Sequence, residues 1–487
     1  MKYKIIGLAA AAVIVVAAFL GTAFSAESPN KRIHQHLESR GPSSMCSCDG
    51  DELCTHLPLI IIDTDGKTIP GEPIVDENRQ EIGFTVDENG EELTTSFISV
   101  VDNETSNNHP SDNPKIASSA LIRIRGNSSR YFDKKNYLIR FTKDDGSYEN
   151  YPVAGMDAHY EWALHGPFLD KSLIRNYMWY NIAGEIMDYA PNVRFCELIL
   201  NGEYQGLYVL TETITSGENS RLNLTEPMQG TDKTGYVIRL DRGSSTPIKN
   251  IQTFTGYAYR NFQKVDIKYP RSGDLTPQLV EAITNEVSDF EKALYSYDYD
   301  TDEYGYWNYI DTDSFVDYFI INEFTSNYDA GWLSTYMYKD VGGRYKMVIW
   351  DFNSACENYS HVIQEEPHIE LQLNIWYYML TKDEYFNMKV LNRYKELRKT
   401  YLSEEYLNKY MDDVIAYLGP AIDRNFSVWG YNFENNMIYP PERNPKNHEE
   451  AVNQMRSYIH ERGEWMDENL EILLQYSHES KNKKFNH

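Results

Sequence analysis

Glu197-Leu-Ile-Leu-Asn-Gly-Glu-Tyr-Gln-Gly-Leu-Tyr-Val-Leu210 is the stretch that best indicates the fold. Two apolar runs flank the pair Asn201-Gly202, which is typical of the tight turn of a β-hairpin because both residues tolerate positive φ. The sequence therefore predicts two antiparallel strands joined at this pair.

Further strands are predicted on both sides of this hairpin. Residues 57–63 form an apolar run, and residues 64–115 alternate short β-like runs with Asp-Gly, Asn-Gly and Pro-Gly turns. Residues 121–125 and 135–141 follow as two more strands, and residues 235–241 form another. The first part of the chain is thus predicted to be β-rich.

The remainder of the chain is predicted to be mainly helical. Helical spacing of apolar residues occurs at 170–188, 275–296, 312–327, 370–418 and 448–475. One strand pair, 333–338 with 344–350, interrupts this pattern and is joined by Gly342-Gly343. The order of elements predicts an α+β fold with a cleft between two lobes.

The N-terminus predicts export. Lys2 and Lys4 precede an uncharged apolar run from Ile5 to Phe24, and small residues before Ala26 suit cleavage there. We interpret residues 1–25 as a signal peptide or an N-terminal anchor, which predicts a secreted or cell-surface protein. Contact with a membrane is expected only through this segment, if it stays uncleaved.

Residues 26–56 are predicted to be a polar, cysteine-containing linker, 57–475 the folded domain and 476–487 a polar tail. The linker carries Cys46, Cys48 and Cys54, for which a local disulfide or free thiols are favoured over a zinc site with His56, because the spacing is not a standard one. The distant Cys196 and Cys356 are expected to be buried as small apolar residues.

The charge balance limits the classes of partner. The 46 basic and 73 acidic residues among 487 give a net charge of −27. Such a charge repels nucleic acid, so no nucleic-acid partner is expected. A site for an anionic ligand must therefore gather its own cations, backbone amides or metal.

One local cluster has the composition of such a site. Arg125-Gly126-Asn127-Ser128-Ser129-Arg130 lies between two predicted strands, and Lys134-Lys135 follows. Backbone amides turned by a glycine, together with Lys and Arg, can hold phosphate. The alternative is an ordinary hairpin with solvated charges.

A second cluster consists of oxygen ligands. Asp329 follows a predicted helix and Asp351 ends a predicted strand, with Ser334 and Asn353 nearby. Carboxylates with amide and hydroxyl oxygens suit Mg²⁺ or Mn²⁺, and kinases use one such Asp for the acceptor hydroxyl and a later Asp-Phe for the metal. The alternative is two aspartates that cap turns.

Five stretches together resemble the spore coat protein H (CotH) family of atypical secreted kinases. They occur in order along residues 57–475 and are Arg125-Gly-Asn-Ser-Ser with Lys134-Lys135-Asn-Tyr, Trp162-Ala-Leu with Asp170-Lys-Ser-Leu-Ile-Arg-Asn176, Leu198 to Glu212, Asn322-Glu323 through Asp329, and Trp350-Asp-Phe-Asn353. The resemblance implies a distant protein-kinase-like, two-lobed fold, with an N-lobe of about 57–215 and a C-lobe of about 216–475.

The same resemblance implies ATP as cofactor, Mg²⁺ or Mn²⁺ as metal, and secreted or spore coat proteins as substrates. Asp329 would be the catalytic and metal-binding carboxylate and Asp351 the metal ligand, with Ser334 and Asn353 as further oxygens. The nucleotide would contact Arg125, Gly126, Ser128, Ser129, Lys134, Lys135 and Glu212.

This chain also departs from the family pattern, since it has Asn353 where a second Asp is frequent and Ser334 where an Asn is frequent. Both replacements keep an oxygen. The alternatives to a Ser/Thr kinase are a catalytically weak pseudokinase that acts as a surface or coat scaffold, and a cell-wall carbohydrate-associated protein.

Overall fold

The computed structural model of the chain describes residues 32–42, 46, 48, 52–218, 221–228, 230–258, 263–359 and 367–485. The predicted signal peptide or anchor at residues 1–25 lies outside these ranges. Within them, no helix combines the length and the apolar character that a membrane crossing requires.

Seven strands of the first part of the chain close into a barrel in the order β1-β4-β5-β6-β7-β9-β8. The strands up to residue 212 are β1 (Leu59–Asp63), β2 (Pro73–Val75), β3 (Glu81–Phe84), β4 (Thr94–Val101), β5 (Ile116–Arg125), β6 (Asn136–Thr142), β7 (Glu161–His165), β8 (Val193–Leu200) and β9 (Glu203–Glu212). Neighbours pair antiparallel, except that β1 pairs with β8 in parallel. Alternate apolar residues of each strand fill the interior, among them Ile62, Ile139 and Trp162.

A second, antiparallel sheet has the order β11-β12-β10-β13-β14. Its strands are β10 (Tyr236–Asp241), β11 (Asn250–Ile251), β12 (Lys264–Tyr269), β13 (Thr335–Lys339) and β14 (Lys346–Val348). The strands β13 and β14 form a hairpin, and β13 also pairs with β10. The end of β10, the start of β13 and the end of β14 therefore lie side by side at the same end of the strands.

The described residues also form α-helices, most of them in the C-terminal part of the chain. They are α1 (Gln35–Glu38), α2 (Arg175–Ile186), α3 (Phe254–Ala258), α4 (Pro277–Leu294), α5 (Thr312–Phe324), α6 (Ile375–Leu380), α7 (Glu384–Leu397), α8 (Glu404–Leu418), α9 (Pro420–Trp429) and α10 (His448–Asn469). The largest apolar core lies among them and includes Trp179, Phe290 and Phe319.

The structure confirms the α+β class, with a β-rich first part and a mainly helical second part. The hairpin turn is also confirmed, since Asn201 and Gly202 have φ of 51° and 81°. The closed barrel was not predicted, nor were β7, β12 and α9. The α2 helix begins later than residue 170, because the Asp170 side chain accepts hydrogen bonds from the amides of Ser172 and Arg175 and fixes a turn there.

The segments that flank the predicted domain make specific contacts with it. Arg32 is buried, and its guanidinium donates to Asn181 and to the carbonyls of Ala190, Tyr180 and Pro191 at 2.7–3.0 Å. Residues 32–42 were expected to belong to a linker. Arg32 instead attaches this segment to α2 and to the residues that follow α2. At the other end, the amide of Ser480 donates to Asp300 at 3.0 Å.

We expect Arg32→Ala to lower the free energy of unfolding by about 3 kcal/mol or more, because several buried acceptors lose their donor. Arg40→Ala is the matched control, since Arg40 makes one partly buried side-chain bond, to Asn107 at 2.9 Å. Urea denaturation of both variants gives the comparison. Equally small losses of unfolding free energy in the two variants would contradict the buried position of Arg32.

Candidate active site

Asp329 and Asp351 approach each other on two loops that are tied together. Asp329 lies after α5, in a turn where its carbonyl accepts from the amide of Leu333 at 2.8 Å. Asp351 lies three residues after the end of β14. The amide of Cys356, just beyond Asp351, donates to the carbonyl of Thr325 at 2.6 Å and so joins the second loop to the first.

The backbone at Asp351 is held in an unusual conformation by side chains of α2. Asp351 has a φ of 60°, in the left-handed region that costs a non-glycine residue free energy. Its amide donates to the Tyr180 hydroxyl at 3.1 Å, and the next amide, of Phe352, donates to Asn176 Oδ1 at 2.8 Å. Asn176 Nδ2 also donates to Asn353 Oδ1, and Asn353 Nδ2 donates to Asp351 Oδ1. This chain of bonds fixes the Asp351 carboxylate.

A third carboxylate, Asp241, lies beside these two. It ends β10, and extending the β10–β13 pairing by one residue places it opposite Ser334. It ion-pairs with Arg239 at 3.3 Å and with Arg242 at 3.4 Å. Sequence reasoning missed Asp241, although it ends a predicted strand in the same way as Asp351.

The electrostatics show that the three carboxylates interact. Burial and the negative charge of Asp351, with a smaller effect of Asp241, raise the pKa of Asp329 to about 6, while Arg242 opposes the rise. Burial also raises the pKa of Asp351, against the lowering effect of Arg125. Crowded, partly buried carboxylates of this kind are stabilised by a bound cation, so the donor set fits a hard divalent metal ion.

Arg125 brings positive charge from the barrel to this cluster. It ends β5, lies 5.2 Å from the centre of the Trp350 ring and donates to His165 Nε2 at 3.2 Å. Burial and the neighbouring Arg125 lower the pKa of His165 well below its usual value, consistent with a neutral imidazole that accepts this bond. The predicted phosphate and metal clusters therefore meet at Arg125 and Trp350.

The glycine loop continues from Arg125. Gly126 has a φ of 106°, and a Cβ at this position would lie 2.0 Å from Ser129 Oγ, so a glycine is required. Ser128 and Ser129 begin the short 3-10 helix Ser128–Tyr131. When the side-chain amide of Asn127 is oriented with its oxygen toward Arg242, this oxygen accepts two hydrogen bonds from the guanidinium, at 2.6 and 2.8 Å. The loop is thus attached to the residue that follows Asp241.

The two lysines of the predicted phosphate cluster have protein partners. Lys134 is fully buried and donates to the Leu207 carbonyl and to Asn425 Oδ1, both at 2.6 Å. Burial lowers its pKa well below the usual value. Lys135 forms an ion pair with Glu72 at 2.9 Å. Their contact with a nucleotide stays a prediction.

The remaining predicted site residues are Glu212 and Ser334, which lie in different parts of the structure. Glu212 ends β9 in the barrel wall, is buried, and accepts from the amide of Asn192 at 2.9 Å. Ser334 has a φ of 48° and precedes β13 at the sheet edge that carries Asp241. Its position is compatible with a metal ligand, and the role of Glu212 near adenine stays a prediction.

These elements lie within a region that matches a known family. The family model described as CotH kinase protein matches residues 122–466. The chain belongs to this family. The CotH match runs from β5 into α10 and contains Arg125, Gly126 and the three carboxylates. The curated proteins contain no significant match to the chain.

We expect Asn176→Ala to lower the free energy of unfolding by about 1–3 kcal/mol, because the buried amide of Phe352 loses its acceptor. Asn469→Ala removes a side-chain bond to Trp465 within α10 and should change it by less than about 0.5 kcal/mol. Chemical denaturation measures both. A loss in Asn176→Ala no larger than in the control would show that the Asn176 side chain does not hold the loop that carries Asp351.

Proposed function

We propose that this protein is an exported, CotH-type kinase that transfers the γ-phosphate of ATP to Ser or Thr of secreted, surface or spore coat proteins. The observation that carries the proposal is the meeting of Asp241, Asp329 and Asp351 beside Arg125 and the Gly126 loop. Phosphoryl transfer needs this combination, since charge develops on the phosphate oxygens and has to be neutralised while the reactants are held in line.

The metal would be Mg²⁺ or Mn²⁺, held by Asp351 and Asp329 with the oxygens of Asn353 and Ser334. Such an ion, when bound with ATP, neutralises charge on the phosphates. Asn176 keeps Asn353 and Asp351 in position for this role. Asp241 adds negative charge that favours cation binding, so we include it in the site although the sequence did not indicate it.

Asp329 is suited to the acceptor side of the reaction. Without a cation, burial and the charge of Asp351 raise the pKa of Asp329 to about 6, and a divalent ion held by the same carboxylate would lower it again. Its carboxylate, placed beside the metal, can orient the Ser or Thr hydroxyl and accept its proton as the bond to phosphorus forms. Arg125, Arg242 and the amides of the Gly126 loop supply the positive potential that the chain otherwise lacks.

The proposal includes a two-lobed, kinase-like arrangement in which nucleotide lies between the barrel and the second sheet. Supporting it, Arg125 and Gly126 come from the barrel, whereas the three carboxylates come from the second sheet and its loops. Lys134 or Lys135 and Glu212 would then lie on the barrel side of ATP.

We expect the purified protein to transfer label from ATP, with Mg²⁺ or Mn²⁺, to itself, to casein or to a Ser-rich peptide. Asp351→Ala and Asp329→Asn should each lower the rate about 100-fold or more, because each removes charge that acts in the transition state. Asp289→Asn, an exposed carboxylate of α4 paired with Lys292, should leave the rate unchanged.

Absence of label, together with no rise in melting temperature on addition of ATP and metal, would contradict the proposal. That result would favour a non-catalytic surface or coat scaffold. Binding to cell-wall glycans that persists in Asp351→Ala would instead favour a carbohydrate-associated protein.

A further inference from the structure

A second group of potential metal ligands lies far from the carboxylates in sequence. Cys46, Cys48 and Cys54 surround His109, and one ligand atom from each of the four lies within 4.8 Å of all the others. Cys46 Sγ and His109 Nε2 are 3.3 Å apart. The three cysteines are free thiols, and none of them is deeply buried.

We propose that Cys46, Cys48, Cys54 and His109 bind a structural zinc ion. Zinc prefers four sulfur and nitrogen ligands in a tetrahedron, with bonds of about 2.3 Å to sulfur and about 2.0–2.1 Å to nitrogen. Ligand atoms in such a site are about 3.5–3.8 Å apart, a spacing derived from those bond lengths. The four ligand atoms, all within 4.8 Å of one another, would need to approach by no more than about 1 Å to reach this spacing.

The surroundings of His109 match those of a histidine that ligates a metal. Its Nδ1 faces the Asp112 carboxylate at 3.3 Å, which leaves Nε2 directed at the cysteine sulfurs. Asp112 is held in turn, since it accepts from the His109 amide and from Asn103 Nδ2, both at 2.9 Å. A carboxylate on the far nitrogen fixes the ring and makes the near nitrogen a better ligand.

Cys54 has a supporting contact as well. Asn107 Nδ2 donates to Cys54 Sγ at 3.0 Å, and such a bond stabilises a thiolate. The adjacent Thr55 and Asn108 exchange both backbone hydrogen bonds, at 3.1 and 2.6 Å, and this bridge sets Cys54 beside His109. Backbone hydrogen bonds therefore help to hold the four ligands together, in addition to the side-chain contacts.

The location indicates what the zinc ion would do. His109 lies in the connection between β4 and β5, whereas Cys54 lies on the chain that enters β1. The ion would cross-link these two segments and fix the start of the barrel. All four ligands precede residue 122, so the site lies outside the region matched by the CotH family and does not rest on the proposed kinase function.

The structure also corrects the alternative that paired zinc with His56. The His56 ring packs edge-on against Tyr417, with ring centres 5.0 Å apart, and is not in the ligand group. Burial lowers the pKa of His56 to about 4, as expected for a neutral ring in the protein interior. His109 takes the place that the sequence had suggested for His56.

The first test is the metal content of the full-length protein purified without chelator and then incubated with zinc and desalted. Elemental analysis should find one zinc ion per chain. Cys54→Ser and His109→Ala should lose most of it, whereas His460→Ala, a control at an exposed histidine of α10, should keep it. Asp112→Asn should still bind zinc but with about 10–100-fold lower affinity, because it leaves the four ligands intact.

A second set of measurements uses the wild type and a folded control, so that it does not depend on ligand variants that fold poorly. Replacement of zinc by cobalt should give thiolate-to-cobalt charge-transfer absorption in the wild type and in His460→Ala, and chelation should lower the melting temperature of both. Once the protein is denatured and its zinc removed by a chelator, alkylation without reductant should label all three cysteines, as measured by mass spectrometry. A disulfide among them, absence of zinc after reconstitution, or full zinc retention in Cys54→Ser would each overturn the proposal.

Discussion

The geometry of the carboxylate cluster depends on the buried ion pair between Asp170 and Arg175. The two side chains lie 2.5 Å apart and are almost completely removed from solvent. Arg175 also donates to the carbonyl of Ala355, so the pair connects the start of α2 to the loop after Asp351. Because removal of one partner would leave a buried charge uncompensated, loss of either side chain is expected to destabilise both the start of α2 and this loop. The positions of Asn176 and Tyr180, and hence of Asp351, follow from it.

The charge distribution is the second constraint. A chain with a net charge of −27 repels phosphate at long range. The candidate site opposes this effect locally, since Arg242 lowers the pKa of Asp329 and Arg125 lowers the pKa of Asp351 against the effect of burial. A divalent cation would reverse the sign of the potential at the point where it is needed. An anionic ligand is therefore expected to bind with its metal and not before it.

The sequence predicted those features that depend on residues close to one another in the chain. The hairpin at Asn201-Gly202 and the proximity of Asp329 to Asp351 follow from turn chemistry and from one short strand pair. Asp241 was missed because its place depends on the pairing of β10 with β13, which are distant in the chain. His109 was missed for a similar reason, since the backbone bridge between Thr55 and Asn108 brings two segments that are distant in the chain together. The barrel escaped prediction because its closure is a parallel, long-range contact.

That closure also governs the order in which the chain can fold. Leu59 of β1 pairs with Glu197 of β8, and 197 − 59 gives a separation of 138 residues. During synthesis or translocation from the N-terminus, β1 emerges long before its parallel partner exists, so one of its edges stays open for that interval. Contacts of such high sequence separation form late and slowly. The first strand of the barrel thus stays half-paired while most of the barrel is synthesised, and a chain that stops before β8 exposes an apolar edge able to pair with other chains.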